Sequence, residues 1–239
     1  MSIYGAFKKQ LTGLSFQKKE LIAKCLGGRE GVLLRTLRAK AKHDEIYDEK
    51  YYKHVEQGMA HSAKVMAETL MAVFKPETLI DIGCGSGALL GEFKLRGINV
   101  QGLEYSSAAI QICEKRGLLV QRFDLESGVR IPPAAKYDLC ISTEVAEHLP
   151  AVLAGVYVET LCGHSDVCVI TAATPGQGGT DHVNEQPHEY WINLFTSHNF
   201  SYDSKQSEFL RKTWKDGGAE KWYWKNALVF IRNEKQHGK

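Results

Sequence analysis

The sequence predicts an α/β domain in which a mostly parallel sheet carries helices on both faces. Short apolar runs alternate with amphipathic segments from Pro76 onwards, and this alternation is typical of strand–helix–strand units. A glycine-rich turn follows the first of these runs, where a strand would lead into a helix. The 239 residues suffice for one sizeable core and would crowd a second full domain.

Each predicted element rests on the spacing of its apolar residues. Helical spacing occurs around Tyr47, Tyr51 and Val55 and again over 60–74, and Pro76 ends this helical region. Beyond it, short apolar runs predict strands and amphipathic stretches predict helices. The predicted strands are 79–82, 99–103, 118–122, 137–142, 167–172, 201–205 and 227–232, and the helices between them are 87–96, 107–116, 150–162 and 187–198.

Residues 1–45 differ in charge from the rest of the chain. They hold ten Lys and Arg against four Asp and Glu, with glycine breaks at Gly13 and Gly27. We therefore predict a basic helical N-terminal extension, 1–45, followed by the main domain, 46–239. The extension fits a solvated helical face, and it also fits a recruitment surface or a joint to another module.

Composition disfavours several classes of protein. The net charge is only +2, whereas a general polyanion binder has a strongly basic domain, so nucleic acid is not an expected partner. None of the six cysteines forms a Cys-x-x-Cys pair, which favours free thiols in a cytoplasmic protein over disulfides or a zinc site. The chain has neither an apolar run of membrane-spanning length nor the apolar core of a signal peptide at its start, so membrane insertion is not expected. No feature predicts the oligomeric state.

The segment LIDIGCGSGALL, residues 79–90, predicts a ligand-binding turn. Gly83, Gly85 and Gly87 let the backbone turn tightly and approach a ligand, and the helix that follows would direct its N-terminus towards it. Dinucleotide-binding folds use Gly-x-Gly-x-x-Gly, whereas the spacing here is Gly-x-Gly-x-Gly, with Asp81 two residues earlier. A carboxylate at that place suits an ammonium group and suits a pyrophosphate poorly, which disfavours a nicotinamide-dependent oxidoreductase.

Two further acids follow the next two predicted strands. Glu104 ends the second strand, where a carboxylate can accept from both hydroxyls of a ribose. Asp124 ends the third, where it would accept from an adenine amino group. Either acid alone would be an ordinary strand end, but three acids in register with the glycine turn indicate one ligand that spans the edge of the sheet.

Over about residues 46–233 these features resemble the class I S-adenosylmethionine (SAM)-dependent methyltransferases. The resemblance implies a Rossmann-like three-layer sandwich whose seven-stranded, mostly parallel sheet has an antiparallel last strand. It implies SAM as the cofactor, with Asp81, Gly83 and Gly85 at the methionine part, Glu104 at the ribose, and Asp124 with Leu125 at the adenine. The other expected cofactor-binding residues are Cys84, Tyr105 and Thr143.

The segment YDLCISTEVAEHLP, residues 137–150, predicts a second site. On a helix, Glu144, Glu147 and His148 would share one face because they lie at positions i, i+3 and i+4. Carboxylate oxygens favour Mg²⁺ or Mn²⁺, and a histidine favours Mn²⁺. The stretch is similar to one in ubiquinone-biosynthesis O-methyltransferases and in enzymes that methylate the terminal 2′-hydroxyl of small RNAs, which implies a bound divalent ion. Metal-free relatives carry a related Glu-x-x-x-His stretch in which the histidine packs structurally, so both readings stay open.

The region after the fifth predicted strand, residues 171–191, supplies two candidate histidines. We expect His182 to be the fourth metal ligand or the general base, because it lies nearer the strand end. His188 would cap a helix or act as a reserve base. The stretch PGQGG…HVNEQPHEYW resembles methyltransferases of glycan-biosynthesis gene clusters.

These patterns together predict an O-methyltransferase that acts on a hydroxyl of a sugar or glycan. An alcohol is a poor nucleophile at neutral pH, so Glu144, Glu147, His148 and His182 would activate it through a metal ion, with Glu144, His182 and His188 as the candidate catalytic residues. The alternatives are a polyphenol or an RNA 3′-end as acceptor, and a non-catalytic SAM-binding subunit.

Aromatic residues near the C-terminus are a further candidate surface for sugars or bases. Trp222 and Trp224 are two residues apart, so on a strand they would share one face and could simply pack within the sheet instead of binding a ligand. Trp214 lies among charged residues, and we expect it to be partly exposed.

Overall fold

The structure is a computed structural model that describes residues 49–127 and 136–234, with side chains from residue 59 onwards. The predicted basic extension, 1–45, lies outside the described residues. Strands and helices are numbered below from the first described element.

One sheet of seven strands organises the domain, in the order β3-β2-β1-β4-β5-β7-β6. Strand β7 is antiparallel to both of its neighbours, and the other six strands are parallel to one another. This confirms the predicted mostly parallel sheet with an antiparallel last strand. The strands are β1 Thr78–Ile82, β2 Asn99–Glu104, β3 Val120–Arg122, β4 Leu139–Thr143, β5 Val167–Thr171, β6 Phe200–Tyr202 and β7 Ala227–Arg232.

Helices cover both faces of the sheet because side chains alternate along each strand. In β1, Leu79 packs into an apolar cluster with helices α1, α2 and α6, whereas Ile80 and Ile82 pack into a second cluster with α4 and α5. The helices are α1 Glu49–Phe74, α2 Ala88–Leu95, α3 Ser107–Lys115, α4 Ala154–His164, α5 His188–Ser197, α6 Ser204–Asp216 and α7 Lys221–Asn226. The three-layer sandwich that the sequence predicts is therefore confirmed.

The C-terminal region differs from its predicted form. The strand expected over 201–205 ends at Tyr202, because the side chain of Asp203 accepts a hydrogen bond from Gln206 N (2.9 Å) and caps helix α6. Helix α6 was not predicted. Trp214 lies on its inner face and is 0% exposed, so the expectation of a partly exposed Trp214 was wrong.

Trp222 and Trp224 also differ from the strand arrangement. Both lie on the short helix α7, where Tyr223 N and Trp224 N donate to Glu220 O. Trp222 is 41% exposed, and Trp224 is half-buried against the first cluster.

The remaining sequence-based expectations concern cysteines and the membrane. The five described cysteines carry free thiols, and four of them are buried. In the part of the chain that the structure describes, the helices fall short of the length and apolarity that a membrane span requires.

Candidate active site

The glycine-rich turn lies at the carboxyl edge of the sheet, between β1 and α2. Gly83, Gly85 and Gly87 have φ angles of 79°, 53° and 75°, a region that side chains disfavour. Gly83 N and Cys84 N donate to Leu103 O at 2.8 and 3.2 Å, which holds the turn against β2. A Cβ at Gly83 would also lie 2.4 Å from Cγ2 of Val145. Both the positive φ angle and this close contact therefore require glycine at position 83.

Glu104 ends β2 beneath this turn, and its carboxylate accepts three backbone hydrogen bonds. Oε2 accepts from Gly85 N at 2.8 Å, and Oε1 accepts from Tyr105 N and Ser106 N at 2.8 and 2.7 Å. Burial nevertheless raises the pKa of Glu104 above its usual value, against the opposing effect of these hydrogen bonds. Glu104 thus shapes the turn, and Oε2 retains one acceptor position for a ribose hydroxyl.

Asp81 pairs in register with Gly102 of β2, close to Glu104. It is 2% exposed, and its Oδ1 atom has no hydrogen-bond partner among the described residues. Burial, and secondarily the charge of Glu104, raises the pKa of Asp81 to about 8. A cationic ligand beside this buried carboxyl group would stabilise its ionised form.

The other predicted cofactor residues lie along the same edge. Asp124 follows β3 and accepts from Glu126 N through Oδ1 at 3.0 Å, just before the half-buried Leu125. The guanidinium group of Arg122 stands 5.2 Å from the ring centre of Tyr105. Thr143 ends β4, next to Thr171 of β5.

Glu147, His148 and His182 form a compact cluster beyond the end of β4. Each offers one ligand atom, and these atoms lie within 4.8 Å of one another. The two imidazole rings are nearly perpendicular, with centres 4.9 Å apart. Glu147 is 0% exposed, and neither of its carboxylate oxygens has a hydrogen-bond partner among the described residues. Three of the four predicted metal ligands are therefore together.

Glu144 lies beside this cluster rather than within it. Burial, and then the charge of Glu144, raises the pKa of Glu147 to about 9, and burial also raises the pKa of Glu144. Two adjacent buried carboxyl groups favour a proton held between them, or a cation in its place.

The shared helix face that was expected for Glu144, Glu147 and His148 is wrong. Glu144 has a positive φ of 54°, and only Ala146–His148 form a short 3₁₀ turn. The backbone leaves the helical path because Glu144 N donates to Oγ1 and O of Thr171, at 2.9 and 3.2 Å. The carboxylates therefore approach one another through a tight turn.

The loop after β5 carries His182 to the cluster. Val183 N and Asn184 N both donate to Glu147 O, at 2.9 and 3.0 Å, which anchors the loop next to His182. The Nδ1 atom of His182 lies 2.9 Å from Oε1 of Glu185, which directs Nε2 away from that carboxylate.

His188 begins helix α5 and has a different neighbour. Nη2 of Arg211 lies 3.3 Å from Nδ1 of His188. Burial, and then the charge of Arg211, lowers the pKa of His188, which favours the neutral ring. Because arginine only donates, Nδ1 accepts and Nε2 carries the ring proton.

Several solved structures that are similar to this chain are methyltransferases. Magnesium protoporphyrin IX methyltransferase from Synechocystis, with bound SAH, aligns with a TM-score of 0.59 at 14% identity and covers 81% of this chain and 100% of that one. An amino pentose methyltransferase from Micromonospora echinaspora, with bound SAM, gives 0.56 at 17% identity over 76% and 96% of the two chains. The methyltransferase domain of a bacterial Hen1 gives 0.52 at 15% identity over 72% and 100%.

The chain has the class I SAM-dependent methyltransferase fold. A family model described as methionine biosynthesis protein MetW matches residues 66–152, which is less than half of the chain. A comparison with curated proteins finds none that matches.

Within this methyltransferase fold, sequence reasoning missed the residues that support the histidine loop. Glu185 accepts from Gly176 N and Gly178 N, each at 2.8 Å, in addition to its contact with His182. Its place three residues after His182 was the signal that would have revealed it. Gln177 donates to Oε2 of Glu144 at 3.3 Å and accepts from Asn226 Nδ2 at 2.7 Å. Asn226 has no comparable signal, because it reaches the site from the last helix.

Replacing Gly179 with alanine is expected to displace His182. A Cβ at this position would lie 2.3 Å from Nε2 of His182, so the imidazole would have to move. We expect methyl-transfer turnover to fall at least about tenfold with unchanged SAM affinity. Gly155→Ala is the matched control, because a Cβ there meets nothing within 4 Å. If Gly179→Ala turns over at the same rate as the wild-type protein, His182 does not take part in the reaction.

Proposed function

We propose that this protein is a SAM-dependent O-methyltransferase that acts on a hydroxyl of a sugar or glycan with the help of a divalent metal ion. The observation that carries the proposal is the cluster of Glu147, His148 and His182 at the same sheet edge as the cofactor turn. Catalytic groups in parallel sheets of this kind lie at the carboxyl ends of the strands.

The described residues fit SAM. The unpartnered carboxyl group of Asp81 suits the ammonium group of the methionine part, and Glu104 and Asp124 stand at the ends of the next two strands. SAM supplies an already activated methyl group, so the protein has to position the acceptor and promote loss of its proton. The similar solved structures that contain SAM or SAH support this choice of cofactor.

The cluster also fits Mg²⁺ or Mn²⁺. Glu147 would supply a buried anionic ligand, His148 and His182 would supply neutral nitrogens, and Glu144 would contribute a second charge beside them. A divalent ion lowers the pKa of a hydroxyl bound to it and orients that hydroxyl. Glu185 would orient His182 in this arrangement.

A metal-independent arrangement of the same residues is the alternative mechanism. The contact between His182 and Glu185 resembles a histidine base oriented by a carboxylate. In that case His182 takes the proton of the acceptor hydroxyl directly, His148 packs internally, and Glu144 faces the cofactor pocket. His188 is less suited to this role, because Arg211 occupies its Nδ1 atom and Nε2 already carries a proton.

Sugar acceptors are favoured by the loop over residues 174–186 and by the similar sugar methyltransferases. One of the latter acts on an amino pentose and another is a sugar N-methyltransferase from Streptoalloteichus. Oxygen is the preferred nucleophile here, because a metal ion held by Glu147, His148 and His182 would suit a hydroxyl. A polyphenol or an RNA 3′-end stays the alternative acceptor.

An acceptor screen with labelled SAM tests this function. Monosaccharides, oligosaccharides, catechols and short RNAs are incubated with the protein, and label transfer is measured with and without Mn²⁺. We expect transfer to saccharides that carry adjacent free hydroxyls. Transfer to catechol or RNA alone would contradict the sugar proposal and leave the methyltransferase proposal intact.

A further inference from the structure

A shallow, solvent-open cleft walled by charged side chains lies outside the cluster described above, between helices α6 and α7. Its volume is about 400 Å³, and it is lined by Glu208, Arg211, Lys212, Lys215, Asp216 and Trp224. Residues 208, 211, 212 and 215 share one face of α6, because they are three or four positions apart. Trp224 of α7 forms the aromatic part of the wall.

The charges in this cleft do not balance. Lys212 pairs with Asp216 across one helical turn at 2.5 Å, so these two neutralise each other. Arg211 and Lys215 then face a single acid, Glu208, and the lining keeps a net positive charge. The ammonium group of Lys215 stands 5.2 Å from the ring centre of Trp224, which places a cation beside an aromatic face.

Arg211 connects the cleft to the candidate active site. Its Nε atom donates to Ala227 O at 3.0 Å, and its Nη2 atom contacts His188. Ala227 pairs with Thr171 at the end of β5, so the guanidinium group is held at the carboxyl edge of the sheet. These contacts leave Nη1 of Arg211 available to a ligand.

The neighbourhood of Arg211 contains further donors. Nε2 of His188, which would carry the ring proton when Nδ1 accepts from Arg211, is buried without a partner among the described residues. Lys225 reaches Thr174 Oγ1, at 3.3 Å, in the loop that follows β5. The next residue, Asn226, links through Gln177 to Glu144. The positive region therefore adjoins the residues that would meet the acceptor.

We propose that this cleft binds the phosphate group of a phosphorylated sugar acceptor, with Arg211 and Lys215 as the cationic contacts and Trp224 beside the sugar. This inference rests on the proposed sugar methyltransferase function and defines its substrate class further. A phosphate fits better than a carboxylate, because its three outer oxygens accept from donors that approach from several directions. Arginine and lysine are the usual partners of such a group.

Binding measurements on the full chain test this inference. Hexoses, their 1- and 6-phosphates and the corresponding uronic acids are titrated in the presence of SAH, with inorganic phosphate as a competitor. We expect the phosphates to bind at least about tenfold more tightly than the neutral sugars, with affinity falling as salt rises. Arg211→Gln should weaken phosphate binding about tenfold and the exposed Lys215→Gln about threefold. Lys221→Gln is the control, because it removes the same charge from an exposed position outside the cleft.

The outcomes distinguish a failure of the phosphate-binding proposal from a failure of the proposed methyltransferase function. Equal affinity for neutral and phosphorylated sugars, tighter binding of uronic acids, or full phosphate affinity in both cleft variants would overturn the inference. Lys215→Gln keeps this test valid if Arg211→Gln fails to fold. Phosphate-dependent binding without methyl transfer would support the cleft and count against the proposed function. Methyl transfer to neutral sugars with no preference for sugar phosphates would support the proposed function and count against phosphate binding in the cleft.

Discussion

Replacing Glu147 with glutamine is expected to lower kcat at least about 100-fold while SAM affinity stays unchanged. Glu147 is fully buried, and glutamine has nearly the same shape, so the substitution removes the anionic ligand that a bound cation would need, with little change in packing. Burial raises the pKa of Glu147 to about 9. Burial and the charge of Glu144 both favour the neutral form of this carboxyl in the metal-free protein, and glutamine resembles that form.

The variant is compared with the wild-type protein before and after removal of metal ions. With an ion at Glu147, His148 and His182, chelation abolishes wild-type turnover, Mn²⁺ restores it, and SAM still binds. Glu147→Gln should then lose both activity and Mn²⁺ affinity. Glu114→Gln, at an exposed position on α3, should behave as wild type.

Two results would end the metal proposal. One is full activity of the chelated, metal-free protein. The other is a Glu147→Gln protein that keeps its turnover. His182 would then be the base, and the pH profile of turnover should follow the ionisation of one histidine.

Local pattern was enough to predict most of the sheet but not the region between β6 and β7. Strands such as β1 and β5 are short apolar runs, and burial on both faces makes that signal strong. Helix α6 has a weak apolar signal, because only Leu210 and Trp214 are large buried apolar residues on it. The capping role of Asp203 decides where β6 ends, and an isolated aspartate does not reveal that role.

The candidate site divides along a similar line. Strand ends and glycine spacing predicted where Asp81 and Glu104 lie, because parallel strands end at a common edge. The positions of Glu144 and Glu147 depend instead on the left-handed backbone conformation of Glu144. Hydrogen bonds from Glu144 N to Thr171 hold that conformation. The prediction from helical spacing therefore chose residues that do lie close together, but a tight turn brings them together and not a helix. Contacts between distant segments, such as Asn226 with Gln177, leave no periodic trace in the sequence.

Asp81 is expected to make the stability of the ligand-free protein depend on pH. Its folded pKa of about 8 lies above the ordinary value of 3.8, so the folded protein retains a proton that the unfolded chain releases between these values. The stabilising contribution of Asp81 is complete below pH 3.8 and is lost as the pH rises through about 8. Relative to Asp81→Asn, the free energy of unfolding of the wild-type protein should therefore fall by about 1.4 kcal/mol per pH unit within this window.

The same substitution should weaken SAM binding about 10- to 100-fold, because a charge-assisted contact with the ammonium group is lost. Binding of that cation favours the ionised carboxyl, so SAM should displace about one proton from the wild-type protein at pH 6.5 and none from the variant. Calorimetry in buffers of different ionisation enthalpy measures this proton directly, and urea unfolding at several pH values measures the stability difference. Glu77→Gln, exposed just before β1 at its opposite end, serves as the control and should change neither quantity. If Asp81→Asn binds SAM as tightly as wild type and proton release persists, the ammonium group lies elsewhere, and the raised pKa of Asp81 reflects burial alone.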